Sequence, residues 1–465
     1  MRYRGLLLFL VLPFLTACED QSLPPFSSLN EVNRWIYQEM KLWYYWSDKL
    51  PEKPDFNRAP DGFFNDLLYP FDPNQRPDGD RFSWIQANVD ELSSSLSGEY
   101  VSYGMEYRIG HVSDIEKTIG TVLYVLPGSP ADQAGVKRGD TFTQVNDQEI
   151  TLNNFRTLLA GNTEKKFTLA EYNPESKIFE PQREVSLQPV RLQEDPVHYS
   201  AVINRGNKLI GYLVYHQFFP STNGTNDLRF DRKLESVFED FKKQRIDELI
   251  VDLRYNSGGY VSSANLLASL IAPGVTSKDV FSIKEYNPRV SEVLKKNYGN
   301  SIFFDYFSVK NQNVGALINR VFVLTSKRTA SASELLINGL LPYMDVKIAG
   351  DTTVGKNVGS ITIRDEEKRT QWGLQPIVSK SFNGRRESNY SAGFAPDYTA
   401  VEGLLIYPYG DDRDPLLKAA LNAITSEGNQ HLRTAELGSP LPSVREVTSS
   451  LRDKPSAMFE NKPDF

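Results

Sequence analysis

Four short runs of the chain constrain its architecture more than anything else. "KLIGYLVY" (208–215), "DELIVDLRY" (247–255), "RVFVLTS" (320–326) and "DVKIAGD" (345–351) are rich in apolar residues and hardly alternate. A strand that is apolar on both faces needs cover on both faces, as in a mostly parallel sheet sandwiched by helices. The intervening segments supply such cover: "KLESVFEDFKK" (233–243) places Leu234, Val237, Phe238 and Phe241 on one helical face. The alternation from about 195 to 425 therefore predicts an α/β core.

The rest of the 465 residues is organised differently, and the length suggests two or three domains. "SSLNEVNRWIYQEMKLWYYW" carries Val32, Trp35, Ile36, Met40 and Trp43 at helical spacing behind a Ser28-x-x-Glu31 capping box. A second helical patch follows at 63–68, so 18–95 reads as a tether and a small helical subdomain with an aromatic core. Residues 96–192 switch to short β-type runs with turn signals. From 429 to 465 the chain is polar and lacks periodicity, which predicts a segment without fixed structure. The net charge of −7 argues against a nucleic-acid partner.

The first residues, "MRYRGLLLFLVLPFLTAC", have two arginines, an apolar stretch and small residues before Cys18. That is the layout of an export signal over 1–17. Cys18 is the only cysteine, so no intramolecular disulfide or cysteine metal site is possible. "LTAC" resembles a bacterial lipobox. The resemblance implies a lipidated Cys18, a membrane anchor, and a place in the bacterial cell envelope, at the outer membrane.

Three loops follow three of the apolar strands: Asn256-Ser257-Gly258-Gly259, "RTASASELL" (328–336) and "TTVGKNVGS" (352–360). In an open parallel sheet such loops gather at the carboxyl edge of the strands. Lys356 lies 25 residues after Ser331, room for one helix and one strand returning the chain to that edge. Taken singly, a serine at a helix start is an ordinary cap, a loop lysine an ordinary solvated charge, and a Gly-Gly pair an ordinary turn. Both Ser331 and Ser333 stand in the loop.

Together, "VDLRYNSGG", "RTASASELL" and "TTVGKNVG" resemble, in order and interval, the C-terminal processing (tail-specific) serine peptidases. The resemblance covers most of residues 96–425. It implies a crotonase-like (ClpP/crotonase) peptidase core at 193–428 with an inserted PDZ domain and a small N-terminal helical subdomain. It selects Ser331 as nucleophile and Lys356 as general base, with oxyanion donors from the Ala332 N–H and from the Gly258-Gly259 turn, Gly258 favoured. No cofactor or metal is implied. An unperturbed lysine, with a pKa of about 10.4, is neutral roughly once in a few thousand molecules at pH 7, so Lys356 must be desolvated. Where many members carry glutamine four residues after the lysine, this chain has Ser360.

"VLPGSPADQAGVKRGDTFTQVNDQEI" (125–150) resembles a PDZ domain, with Tyr103, Gly104, Met105 and Glu106 as its carboxylate loop. The implied partner is a protein or peptide substrate held through its C-terminal tail. The expected function is exported endoproteolysis. The rivals are a catalytically silent peptide-binding lipoprotein of the same fold and a thioester-acting crotonase. Of the histidines, His216 follows a strand and is read as a core or surface residue; His111, His198 and His431 have no ligand spacing. Asp252 and Arg254 read as a structural ion pair.

Overall fold

In the computed structural model, which describes residues 23–221, 227–425, 442–453, 458–460 and 462–463, the four apolar runs lie side by side. Strands Lys208–Tyr215, Glu248–Asp252, Arg320–Thr325 and Asp345–Gly350 are parallel neighbours. Val197–Arg205 is added antiparallel at one edge and Tyr398–Thr399 parallel at the other. Their lack of alternation has the expected cause. Leu213, Leu249, Val251, Val321 and Val323 pack towards helices Arg229–Gln244, Val261–Ile271 and Ala332–Leu340. Tyr212, Ile250, Phe322 and Leu324 pack on the other side against helix Pro415–Thr425.

A second six-stranded sheet stands against this core. Its order is Gly259–Tyr260, Met458–Phe459, Val358–Ser360, Ile377–Phe382, Val280–Tyr286 and Phe304–Tyr306. The N-terminal helix Leu29–Trp43 starts at the Ser28–Glu31 capping box, and Pro60–Leu67 forms the second helix. Their aromatics do not make a separate core. Trp35, Trp43, Tyr44, Phe63 and Phe64 pack with Ile361, Ile377 and Val378 of the second sheet.

The PDZ-like region forms a seven-stranded sheet in which Met105–Val112 and Lys117–Val125 are paired. Ser129 caps the short helix Pro130–Gln133, and Gln148–Glu149 returns against Thr141–Val145 as a hairpin. One expectation is corrected. The tail read as lacking fixed structure contributes two strands: Val444–Ser449 pairs antiparallel with Met105–Val112, and Met458–Phe459 enters the second sheet. Strand addition is made by backbone hydrogen bonds, so it needs no hydrophobic period in the added segment. The export signal and Cys18 lie outside the described residues. No helix among the described residues is long and apolar enough to cross a membrane.

Candidate active site

The loops after the core strands meet at one edge, as their positions predict. The Ala330 N–H donates to the Asn256 carbonyl (3.2 Å), and the Val354 N–H donates to the Thr329 carbonyl (3.0 Å). Ser331 stands at the junction as the N-cap of helix Ala332–Leu340. Its backbone has φ 63° and ψ −114°, a conformation that costs a side-chain-bearing residue about 1–3 kcal/mol. Ser331 is fully buried, and its Oγ has no hydrogen-bond partner among the described residues. The Ser333 hydroxyl donates to the Asn256 carbonyl (3.2 Å) and so helps tie the loops together. Geometry thus separates the two serines: one is strained with a free hydroxyl, the other is anchored.

A residue absent from the sequence reading organises this edge. The buried carboxylate of Glu334 accepts the Ser331 and Lys356 N–H groups on Oε2, each at 2.8 Å. Its Oε1 accepts the Gly355 N–H (2.6 Å) and the Thr353 hydroxyl (2.5 Å). One side chain therefore fixes the backbone of the candidate nucleophile relative to that of the candidate base. Burial raises the Glu334 pKa, opposed by these same bonds. The pattern Ser331-x-x-Glu334 repeats the capping-box spacing seen at Ser28-x-x-Glu31, so a signal was present in the sequence.

Lys356 is fully buried. Its Nζ lies 4.9 Å from the centroid of the Phe82 ring. Burial pulls its pKa down to about 7, against the opposing pull of Asp80 and Glu334. At that value about half the molecules carry a neutral amine at pH 7. The N-terminal region supplies this environment. Arg81 reaches over the lysine loop and donates through Nη2 to the carbonyls of Gly355 (3.0 Å) and Ser391 (2.9 Å). Nothing in the spacing of "DRFSW" (80–84) announces that role, because it depends on two segments more than 270 residues apart.

The oxyanion expectation divides. Ala332 is the first residue of its helix, where an N–H has no intrahelical partner and the helix dipole favours negative charge. The Gly258 N–H instead donates to Asn256 Oδ1 (2.8 Å), so in this conformation it is spent within its own turn. The backbone is tight there. Gly259 has φ 136°, and a Cβ on it would lie 2.0 Å from the Phe218 carbonyl oxygen. His216 is buried between His198 and Tyr124 and faces Glu194. Asp252 and Arg254 form the buried ion pair read from sequence.

The carboxylate loop of the PDZ-like region is closed. Tyr103, Gly104, Met105 and Glu106 are all buried. The Tyr103 hydroxyl donates to the Thr163 carbonyl, the Gly104 N–H donates to Ser102 Oγ, and Glu106 accepts from Tyr100 and Ser450. Among the described residues, no group of histidine, cysteine or acidic side chains could hold a metal ion.

Three regions match family descriptions: "Peptidase S41 N-terminal domain" at 31–84, "PDZ domain" at 121–170 and "Peptidase family S41" at 209–400. The chain carries a peptidase family S41 domain. The S41 N-terminal match contains Asp80, Arg81 and Phe82, and the S41 peptidase match contains Ser331, Glu334 and Lys356. Curated relatives include a CtpA-like serine protease of Staphylococcus aureus, 23% identical over 72% of this chain and 58% of the relative. Another, from Staphylococcus epidermidis, is 24% identical over 73% and 60%. The chain thus spans about three fifths of the length of these relatives. Among solved structures, an S41 protease from Bacteroides fragilis is 26% identical, with a TM-score of 0.71, over 85% of this chain and 98% of that one.

Proposed function

We propose that this chain is a serine endopeptidase working through a Ser331–Lys356 dyad. The observation that carries the proposal is the junction at Glu334. A strained serine with a free hydroxyl and a lysine whose pKa falls to about 7 are fixed to one buried carboxylate. Ser331 Oγ attacks the peptide carbonyl carbon as the neutral Lys356 amine takes its proton. The ammonium then protonates the departing amine, and water attacks the acyl-enzyme with the lysine again as base. The Ala332 N–H at the helix start faces the developing oxyanion; a second donor is freed when the Gly258 turn releases Asn256.

The substrate class in this reading is an unstructured or C-terminal protein segment, presented by the PDZ-like domain. The proposed setting is the cell envelope, with the chain held by a lipid on Cys18. A soluble chain starting at Glu19 would be tested on an unfolded protein, with fragments identified by mass spectrometry. Wild type is expected to cut, and Ser331→Ala and Lys356→Ala to remain folded and silent. Equal cutting by either variant would remove it from the machinery. A silent wild type that retains the substrate would favour the inert binding protein of the same fold.

A further inference from the structure

The tail's two strands occupy the places where a peptide substrate would be read. Val444–Ser449 lies antiparallel on Met105–Val112, with Val444 opposite Val112 and Ser449 opposite Arg108. Ser450 closes the end of that strand: its Oγ accepts the Tyr107 N–H (2.9 Å) and donates to the Glu106 carboxylate. Glu446 forms an ion pair with Arg328, three residues before Ser331. Further on, Met458–Phe459 is inserted as a parallel strand between Gly259–Tyr260 and Val358–Ser360. One wall of that slot begins at the glycine turn, and the other begins two residues after Lys356. The slot is therefore framed by both candidate catalytic loops.

The inserted residues are held as a bound peptide is held, by backbone and by side-chain pockets. The Glu460 N–H donates to the Ser360 carbonyl (3.2 Å), and the Met458 carbonyl accepts from Ser360 Oγ (3.3 Å). Met458 is fully buried in the apolar cluster that contains Ala332 and Val261. Phe459 packs with Leu92, Leu96 and the Tyr260 ring. The Glu460 carboxylate accepts hydroxyls from Ser379 (2.5 Å) and Tyr286. A cavity of about 610 Å³, walled in part by Tyr260, Lys284, Phe459 and Glu460, borders the slot.

We propose that this slot is the peptide-binding site of the peptidase, and that Met458–Glu460 occupies it in cis in the resting enzyme. Substrate must displace the tail from both the PDZ-like edge and the slot. The preferred substrate segment matches what the slot now holds: an extended stretch with an aliphatic, an aromatic and an acidic residue in succession. The inference rests on the peptidase reading above, but its binding arm does not need catalysis. A tethered segment has an effective concentration of about 1 mM. If the free segment binds at about 100 μM, roughly one molecule in ten is open, and removing the tail raises kcat/KM about tenfold.

The test compares three soluble chains starting at Glu19: the full chain, one ending at Leu441, and a full-length Met458→Asp/Phe459→Asp variant. A fluorescein-labelled peptide of residues 442–465 is titrated by anisotropy against Ser331→Ala forms of each. The tail-altered chains are expected to cleave an unfolded substrate about tenfold faster than the full chain. The peptide should bind the shortened Ser331→Ala chain at about 100 μM and the full-length form about tenfold more weakly, and it should compete with substrate. Folded tail-altered chains with unchanged turnover and no peptide binding would overturn the proposal, leaving the tail a structural strand. If the shortened chain loses its thermal transition, the aspartate variant decides on the same two readouts. Peptide binding without cleavage by any chain would sustain the slot and remove the peptidase reading.

Discussion

Two fully buried cations, Arg254 and Lys356, sit in loops that follow two strands of the core sheet, and their surroundings are opposite. Arg254 donates through Nε to both oxygens of Asp252 (3.0 Å each) and through Nη1 to Asp414 (2.6 Å) and Glu402 (3.0 Å). Burial alone would lower its pKa, but the carboxylates outweigh it and hold the charge on. Around Lys356 the balance is reversed: an aromatic ring faces Nζ, and burial outweighs Asp80 and Glu334. Equal burial thus serves two ends. A cation whose acids outweigh its burial is a fixed strut, while one whose burial outweighs its acids is made to give up its proton.

The comparison breaks most visibly if Lys356 is made permanently charged. Lys356→Arg cannot act as a base, because guanidinium does not deprotonate in proteins. Cleavage is expected to fall about a thousandfold or more, measured as kcat/KM from pH 6 to 9. Wild-type kcat/KM should rise with pH through about 7 and then level, as the amine loses its proton. Stability follows the same titration. Between about pH 7 and the ordinary lysine pKa the unfolded chain binds more protons than the native one, so stability rises with pH across that window. Lys356→Met removes that dependence, and a flat urea-midpoint profile there is the check.

At the other cation the expected loss is in stability. Arg254→Met leaves Asp252, Asp414 and Glu402 facing one another, with Arg138 the only remaining guanidinium among their described ion-pair partners. Uncompensated buried charge of this kind costs about 3–5 kcal/mol, measurable by urea unfolding. A neutral result would mean that the cluster is not the strut described.

Two changes then sharpen the lysine side. Glu334→Gln replaces an acceptor oxygen with an NH2 group where four donors converge, and roughly 10–100-fold in kcat is expected to go with the misplaced Ser331. The same change removes a negative charge that raises the Lys356 pKa, so the midpoint of the pH profile should move below about 7. Phe82→Ala does the reverse by admitting water to the amine. A rise of about one unit would lower the rate at pH 7 about fivefold and leave the alkaline plateau intact. A plateau that falls instead would make Phe82 a substrate contact.

Most of the core was legible because its signals are local. Continuous apolar strands, helical faces and the order of three loops each follow from neighbouring residues, and together they placed Ser331 and Lys356 at one edge. What stayed hidden depends on distant segments. Arg81 reaches the carbonyls of the lysine loop, and the Phe82 ring meets its amine, only after the chain has folded. The tail was misread because strand addition uses backbone bonds, which leave no hydrophobic pattern. At Gly258 a glycine pair signals a tight turn but not which acceptor holds its N–H in this conformation. Glu334 was the exception: a capping-box spacing was present, and its link between the two loops becomes visible only when the Lys356 N–H shares the same carboxylate.

The smallest expected effect concerns Ser360, four residues after Lys356. Its hydroxyl accepts from Gln375 Nε2 (3.0 Å) and donates to the Met458 carbonyl (3.3 Å), so it is engaged with the second sheet and the tail. Ser360→Ala leaves a buried amide donor without this acceptor, and about 1 kcal/mol of stability is expected to be lost. In a chain ending at Leu441, where the tail carbonyl is absent, the pH midpoint of kcat/KM should be the same with Ser360 or with alanine. A midpoint displaced by Ser360→Ala in that shortened chain would show that the hydroxyl helps set the lysine. An unmoved midpoint leaves burial and Phe82 as the means by which Lys356 is made a base.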